Sequence, residues 1–201
     1  MNRTRTIAGA AALLALLVLA ANATALDEGR QAPDFVAAAS LDGQAVEFSL
    51  QEALADGPVV VYFFPAAFTR GCDIEAHAFA SHHERFAEAG ATIIGVSADP
   101  VDKLNEFSAD PDFCAGKFAV ASDLDGSIGK RYGLELREVP EGATDSRGQP
   151  LSHGVLPRVT FVLDSSGRVI ARLSSDEDGI APQQHASKAL EIVEGLADSA
   201  T

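Results

Sequence analysis

Val59-Val60-Val61-Tyr62-Phe63-Phe64 is a β-branched and aromatic run that stops at Pro65, and seven residues later comes Cys72, one of only two cysteines in the chain. Such a run reads as a buried strand. The Pro65-Ala66-Ala67-Phe68-Thr69-Arg70-Gly71 stretch then reads as a turn into a helix extending from about Thr69 to Glu88. Phe79 and Phe86 fall on one stripe of that helix, and Gly90 supplies its stop. A strand that hands a thiol to a helix start places sulfur among unpaired backbone N–H groups at the positive end of the helix dipole. Both favour the thiolate, and the expectation is a Cys72 pKa drawn from about 8.5 toward neutrality.

The rest of the chain alternates in the same manner. Val46–Leu50 reads as a short strand after the turn Asp42-Gly43, and Ser49–Ala55 as a brief helix. Thr92–Ser97 is a buried strand, Val101–Phe107 helical, and Lys117–Ala121 extended. Asp125-Gly126 opens a short helix toward Tyr132. The span from Arg137 to Pro157, with prolines at 140, 150 and 157, reads as a long loop. Val159–Leu163 and Val169–Leu173 form a hairpin, and Pro182 begins a last helix with Leu190, Val193 and Leu196 on one side. Strands alternating with helices and closing on a hairpin and a helix indicate an α/β fold, a central mixed sheet with helices on both faces.

The first 25 residues read as an address. Arg3 and Arg5 precede an apolar stretch from Ile7 to Ala20, followed by small residues at Ala21-Asn22-Ala23 and Ala23-Thr24-Ala25. This is the pattern of a cleaved secretory signal peptide, shorter than a spanning helix. The expected division is residues 1–25 as signal and 26–201 as one domain, exported to a periplasm or secreted, with no stable membrane association after cleavage. Against 29 Asp and Glu stand 15 Lys and Arg, a formal charge of −14, which argues against nucleic acid and anionic membrane surfaces as partners.

Other constellations are weaker. His77, His82 and His83 lie on one helix, but adjacent histidines point different ways, so no metal is expected. Asp123-Leu124-Asp125-Gly126-Ser127 lacks the remaining ligands of a calcium loop and reads as a turn. Ser174–Gly179 reads as a solvated acidic loop. No glycine-rich phosphate fingerprint occurs, so no nucleotide cofactor is expected. Two cysteines in an exported chain are also compatible with a plain structural disulfide, worth ~4 kcal/mol in the chain-entropy model.

The spacing Pro65-x-x-x-Thr69-x-x-Cys72, followed by Glu75, resembles the active-site signature of the peroxiredoxins, the alkyl hydroperoxide reductase and thiol-specific antioxidant family. Pro157-Arg158-Val159-Thr160-Phe161-Val162-Leu163-Asp164 is similar to the segment in which that family carries its active-site arginine. The resemblance runs from Ala32 to Leu196 and is closest to the bacterioferritin-comigratory, or Q-type, branch. It implies a thioredoxin-like fold and thiol-dependent reduction of hydroperoxides, without a cofactor. Cys72 is then the attacking thiol, with Thr69, Pro65 and Arg158 forming its pocket and Glu75 orienting the arginine. In many Q-type members a second cysteine follows the first by five residues, where this chain has His77. Cys114 is then the candidate resolving cysteine, in an intramolecular Cys72–Cys114 disulfide. The competing reading is a one-cysteine mechanism with an outside thiol. A thioredoxin-like protein, a glutaredoxin or a small thiol would supply electrons, and monomer and dimer stay open. Two further readings remain. One is an exported thiol–disulfide oxidoreductase, weakened because Cys72 is followed by Asp73-Ile74-Glu75 rather than a Cys-x-x-Cys motif. The other is a non-enzymatic domain stapled by Cys72–Cys114.

Overall fold

The computed structural model describes residues 26–199, so the expected signal peptide lies outside the described residues. In chain order the elements are β1 (Val36–Leu41), β2 (Gln44–Ser49), α1 (Leu50–Asp56), β3 (Val59–Phe63), α2 (Arg70–Glu88), β4 (Thr92–Ser97), α3 (Val101–Ala109) and β5 (Ala119–Ser122). They continue with α4 (Ser127–Arg131), β6 (Val159–Leu163), β7 (Val169–Ser174), α5 (Ser175–Asp178) and α6 (Pro182–Ser199). The strands form one mixed 7-stranded sheet in the order β2-β1-β5-β4-β3-β6-β7.

β3 is central, parallel to β4 and antiparallel to β6, which is why its apolar run is unbroken. Its side chains alternate between two cores. Val60, Tyr62 and the following Phe64 join Phe79 and Phe86 of α2, Leu104 and Phe107 of α3, and Leu190 and Val193 of α6. Val59, Val61 and Phe63 join Leu50 of α1, Ile128 of α4, Tyr132 and Phe161 on the opposite face. Helices therefore cover both faces of the sheet, as the alternating pattern indicates.

Two elements depart from the sequence reading. β1 was not expected, because Ala37-Ala38-Ala39 has little intrinsic strand preference. It is extended because tertiary pairing overrides propensity: it pairs with β2 from Val36↔Ser49 to Leu41↔Gln44 and, on its other side, with β5. The Ser174–Gly179 segment contains a one-turn helix, α5, whose first turn is closed by the Ser174 hydroxyl accepting from the Glu177 N–H. The Asp123 turn serves α4 directly, its carboxylate accepting from the Ile128 and Gly129 N–H groups at 2.9 and 2.8 Å. Arg137–Pro157 is a long loop with isolated bridges at Arg137↔Val155 and Thr144↔Pro150.

Candidate active site

β3 ends at Phe63, paired with Val159, the first residue of β6. The residue before β6 must therefore lie beside the chain leaving β3. This antiparallel register brings Arg158 next to Cys72 although 86 residues separate them. Cys72 is in the first turn of α2, with Thr69 at the N-cap position. The Thr69 hydroxyl does not cap the helix; it donates to the Ala66 carbonyl at 2.8 Å. Pro65 is half-buried and follows Phe64 out of β3, next to Ala66.

Cys72 is 1% exposed. Arg158 Nη2 donates to its sulfur at 3.3 Å, and Nη1 donates to Glu75 Oε2, so one guanidinium fork spans both groups. Glu75, one turn after Cys72 on α2, is fully buried. Its other oxygen, Oε1, has no hydrogen-bond partner among the described residues; His185 Nδ1 lies 3.8 Å from it. His185 is itself fully enclosed. The Ser175 hydroxyl donates to the Ile180 carbonyl, so it accepts from His185 Nε2–H at 2.9 Å, leaving Nδ1 to accept from the Thr160 hydroxyl at 2.9 Å. That pattern belongs to a neutral imidazole. Burial, reinforced by the neighbouring Arg158 cation, pushes its pKa down to about 4.

The electrostatics correct one expectation. The helix start was expected to draw the Cys72 pKa down, but burial dominates and pushes the thiol up. Arg158 pulls against that push, Glu75 adds to it, and the adjacent Thr69 side chain and Ala66 backbone favour the thiolate more weakly than Arg158 does. Desolvation counts against the charged form of any acid, and here it outweighs the local donors. Glu75 is likewise pushed up by burial and pulled back by Arg158. Arg158 keeps its proton firmly, because Glu75 and Cys72 more than offset its own desolvation.

The second cysteine lies elsewhere. Cys114 is fully buried between α3 and β5, in the same core as Cys72, and both are free thiols. Burial, with Asp110 and Asp73 nearby, pushes its pKa far above the usual thiol range. His77 links the two regions, its Nδ1 lying 3.1 Å from the Asp112 carbonyl just before Phe113-Cys114. Among the described residues no group of three or more His, Cys, Asp and Glu is arranged to hold a metal ion.

Sequence reasoning missed Gly71. A Cβ there would lie 2.9 Å from Arg158 Nη2, so any larger residue before the cysteine would push the guanidinium from its place on sulfur. The available signal was a glycine inside the first turn of a helix, where it costs about 1 kcal/mol against alanine. Also missed was the grip of the long loop on the turn before Cys72. Phe68 has φ +59, a left-handed backbone uncommon for a bulky residue. The Ser146 N–H donates to its carbonyl at 2.7 Å, and the Arg147 guanidinium lies 3.3 Å from the centre of its ring.

A family model for the AhpC/TSA family matches residues 29–172. Peroxiredoxin Q of rice chloroplasts (Oryza sativa subsp. japonica) is 33% identical over 172 residues, 85% of this chain and 68% of its own length. Peroxidoxin BcpB from Mycobacterium tuberculosis superposes with a TM-score of 0.69 at 29% identity, over 85% of this chain and 97% of that one. The bacterioferritin comigratory protein of Xanthomonas campestris gives 0.61 at 28% identity, over 80% and 91%. A mixed sheet of thioredoxin-like topology, a buried cysteine at a helix start and an arginine fork on its sulfur agree with these likenesses. The chain belongs to the AhpC/TSA family, as a peroxiredoxin of the bacterioferritin-comigratory, Q-type branch and a thiol-dependent peroxidase.

Proposed function

We propose that Cys72 is the peroxidatic thiol, that it reduces hydrogen peroxide or organic hydroperoxides through a sulfenic acid, and that Cys114 resolves this acid as an intramolecular disulfide. The observation that carries the proposal is the Arg158 fork, with one nitrogen 3.3 Å from Cys72 Sγ and the other on Glu75. The thiolate attacks one peroxide oxygen in line, the O–O bond breaks, and the departing oxygen leaves as water or alcohol after gaining a proton. Sulfur loses two electrons and becomes Cys72–SOH. A fixed cation beside sulfur stabilises both the thiolate and the charge developing along the O–O axis. The Thr69 hydroxyl, which donates to the Ala66 carbonyl at 2.8 Å in the resting site, lies at the same mouth and would have to rotate to donate to a bound peroxide. Pro65 contributes apolar atoms and no N–H. Alkyl peroxide reduction by the Xanthomonas campestris relative supports the organic-hydroperoxide arm.

In the second step the Cys114 thiol attacks the sulfenic sulfur, an S–S bond forms, and water leaves. Cys114 is buried and held protonated, so the step requires both the start of α2 and the 110–118 segment to open, giving sulfur access and a lower pKa together. A thioredoxin-type reductant then returns both thiols. We further propose that residues 1–25 direct export, with the mature domain starting near Leu26, whose N–H bonds to the Tyr132 carbonyl at 3.4 Å. Amino-terminal sequencing of chain recovered from an exporting host tests that part.

Intact-mass measurement of the reduced chain after one equivalent of hydrogen peroxide tests the chemistry, beside Cys72→Ser and Cys114→Ser. The expected result is loss of two hydrogens in the parent, an oxygen adduct in Cys114→Ser and no reaction in Cys72→Ser. Oxygen gain alone in the parent would replace Cys114 by an outside thiol; an unreactive parent would remove Cys72 from the mechanism.

A further inference from the structure

Asp99, just after β4, is fully buried, yet its carboxylate collects four donors. Oδ2 accepts from the Ala67 N–H at 2.7 Å and the Ser97 hydroxyl at 2.9 Å. Oδ1 accepts from Lys103 Nζ at 2.9 Å and His153 Nε2 at 3.0 Å. Ala67 belongs to the turn that positions Thr69 and Cys72, whereas His153 belongs to the long 137–157 loop. One carboxylate thus ties that loop to the active-site turn. The same loop meets the turn a second time, through Ser146 and Arg147 on Phe68.

The two ring nitrogens of His153 face different acceptors. Nε2 faces the Asp99 carboxylate, and Nδ1 faces the Gly154 carbonyl at 2.9 Å. Neither acceptor has a proton to give, so both nitrogens must donate, and only the imidazolium carries two N–H groups. This is the opposite of His185, whose partners require a neutral ring. We propose that the His153 imidazolium is a positioning residue, a proton-dependent latch that holds the 145–153 segment on Asp99 and through it fixes the Ala67–Thr69 turn before Cys72. The inference rests on the reading of Cys72 as the peroxidatic thiol.

Charges around the latch come from every neighbouring element. Lys103 of α3 also lies 3.6 Å from Asp145 of the loop. Arg147 bridges Asp145 at 3.2 Å and Glu106 of α3 at 2.6 Å. Asp73 of α2 lies within the field of Asp110, Asp145, Arg147 and Lys103, and burial lifts its pKa to about 6. The Asp99 hydrogen bond is the leading cause that holds the His153 proton past its ordinary value. Because the folded-state value is raised, the latch is complete below about pH 6.5 and opens as pH climbs through that raised value. A neutral ring keeps one N–H and turns a lone pair toward the other acceptor.

Backbone hydrogen exchange of the reduced full-length chain, corrected for intrinsic rates, tests this across pH 6–10 for the parent, His153→Gln and His153→Arg. In the parent, protection of the Ala67 and Ser146 amides should fall about tenfold through an alkaline step, the worth of one hydrogen bond. His153→Gln should show low protection without a step, and His153→Arg, a permanent cation, should stay protected throughout. Equal, pH-independent protection in parent and His153→Gln would overturn the latch whatever Cys72 does. A Cys72→Ser chain that still reduces peroxide would overturn the site reading and leave the exchange step intact. Should His153→Gln fail to fold, ring nitrogen shifts of the parent decide: two protonated nitrogens that persist above the ordinary value of about 6.5 support the latch, and a ring with a single one there overturns it. In rapid-quench oxidation by hydrogen peroxide, the rate of the parent relative to His153→Arg should fall at the same alkaline step, the gain in Cys72 thiolate with pH being common to both chains.

Discussion

Arg158 joins two acidic groups that burial alone would keep protonated, the Cys72 thiol and the Glu75 carboxyl. Its removal therefore has two separable effects. Arg158→Ala leaves a buried carboxyl without its cation, expected to lower unfolding stability by ~3–5 kcal/mol. It should also slow Cys72 oxidation by ~10²–10³-fold. The pH midpoint for Cys72 alkylation should rise, since the strongest pull toward the thiolate is gone. Arg158→Lys should fold better yet stay slow, because a point ammonium lacks the fork that serves Sγ and Glu75 at once. Urea unfolding and alkylation across pH measure both; an unmoved alkylation midpoint would count against Arg158 as the thiolate's cation. The motif residues Pro65, Thr69, Cys72, Glu75 and Arg158 were legible because each has a fixed spacing or flank. The direction of the Cys72 shift was not, since a helix start is visible in sequence whereas complete enclosure depends on α6 and β6 arriving from more than 80 residues away.

Among the elements, the junction of β3, the 64–69 turn and α2 sets the site. Gly71 is the point at which α2 lets the guanidinium through. Gly71→Ala should leave the fold nearly unchanged, because alanine improves helix propensity by up to about 1 kcal/mol. It should displace the fork from sulfur and slow Cys72 oxidation by ~10–100-fold. Stopped-flow oxidation beside urea unfolding separates the two, and an unchanged rate would mean that Arg158 reaches sulfur by another path. Element types were legible where the period was strong: β3 as an unbroken apolar run, α2 from the Phe79–Phe86 stripe and its Gly90 stop, and β4 from Thr92 to Ser97. β1 was hidden because three alanines carry no strand signal until β2 and β5 pair with them. The loop from 137 to 157 was legible as a loop, but its hold on Phe68 and Asp99 joins residues that no local pattern connects.

For the molecule as a whole, acid stability should turn on His185. The folded chain keeps this ring neutral down to about pH 4, whereas the unfolded chain protonates it near the usual value of about 6.5. Between those limits the unfolded state binds more protons, so stability falls as pH falls, by about 3 kcal/mol in full. His185→Gln should remove that slope. Urea-unfolding free energies at pH 7 and pH 4 for parent and variant give the difference directly, and equal losses would show that another group carries the acid sensitivity. The global arrangement of sheet and helices was legible from alternation and from the family resemblance, while the strand order, which brings Arg158 to Cys72, is a property of the assembled sheet.

The full enclosure of Cys114 has a thermal consequence. On the proposed route the first chemical step uses a site already assembled, while the second waits for buried aromatic packing around α3 and β5 to open. Opening of that kind accelerates about 3–6-fold per 10 °C, far more steeply than attack at a preformed mouth. Cooling should therefore separate a fast burst from a slow steady state, and warming should merge them, in a stopped-flow series from 5 to about 35 °C, the upper limit chosen to stay within the few tens of degrees over which such rates extrapolate. Chilled protein would clear its first equivalent of peroxide promptly and then stall, with temperature, rather than the oxidant, setting its throughput.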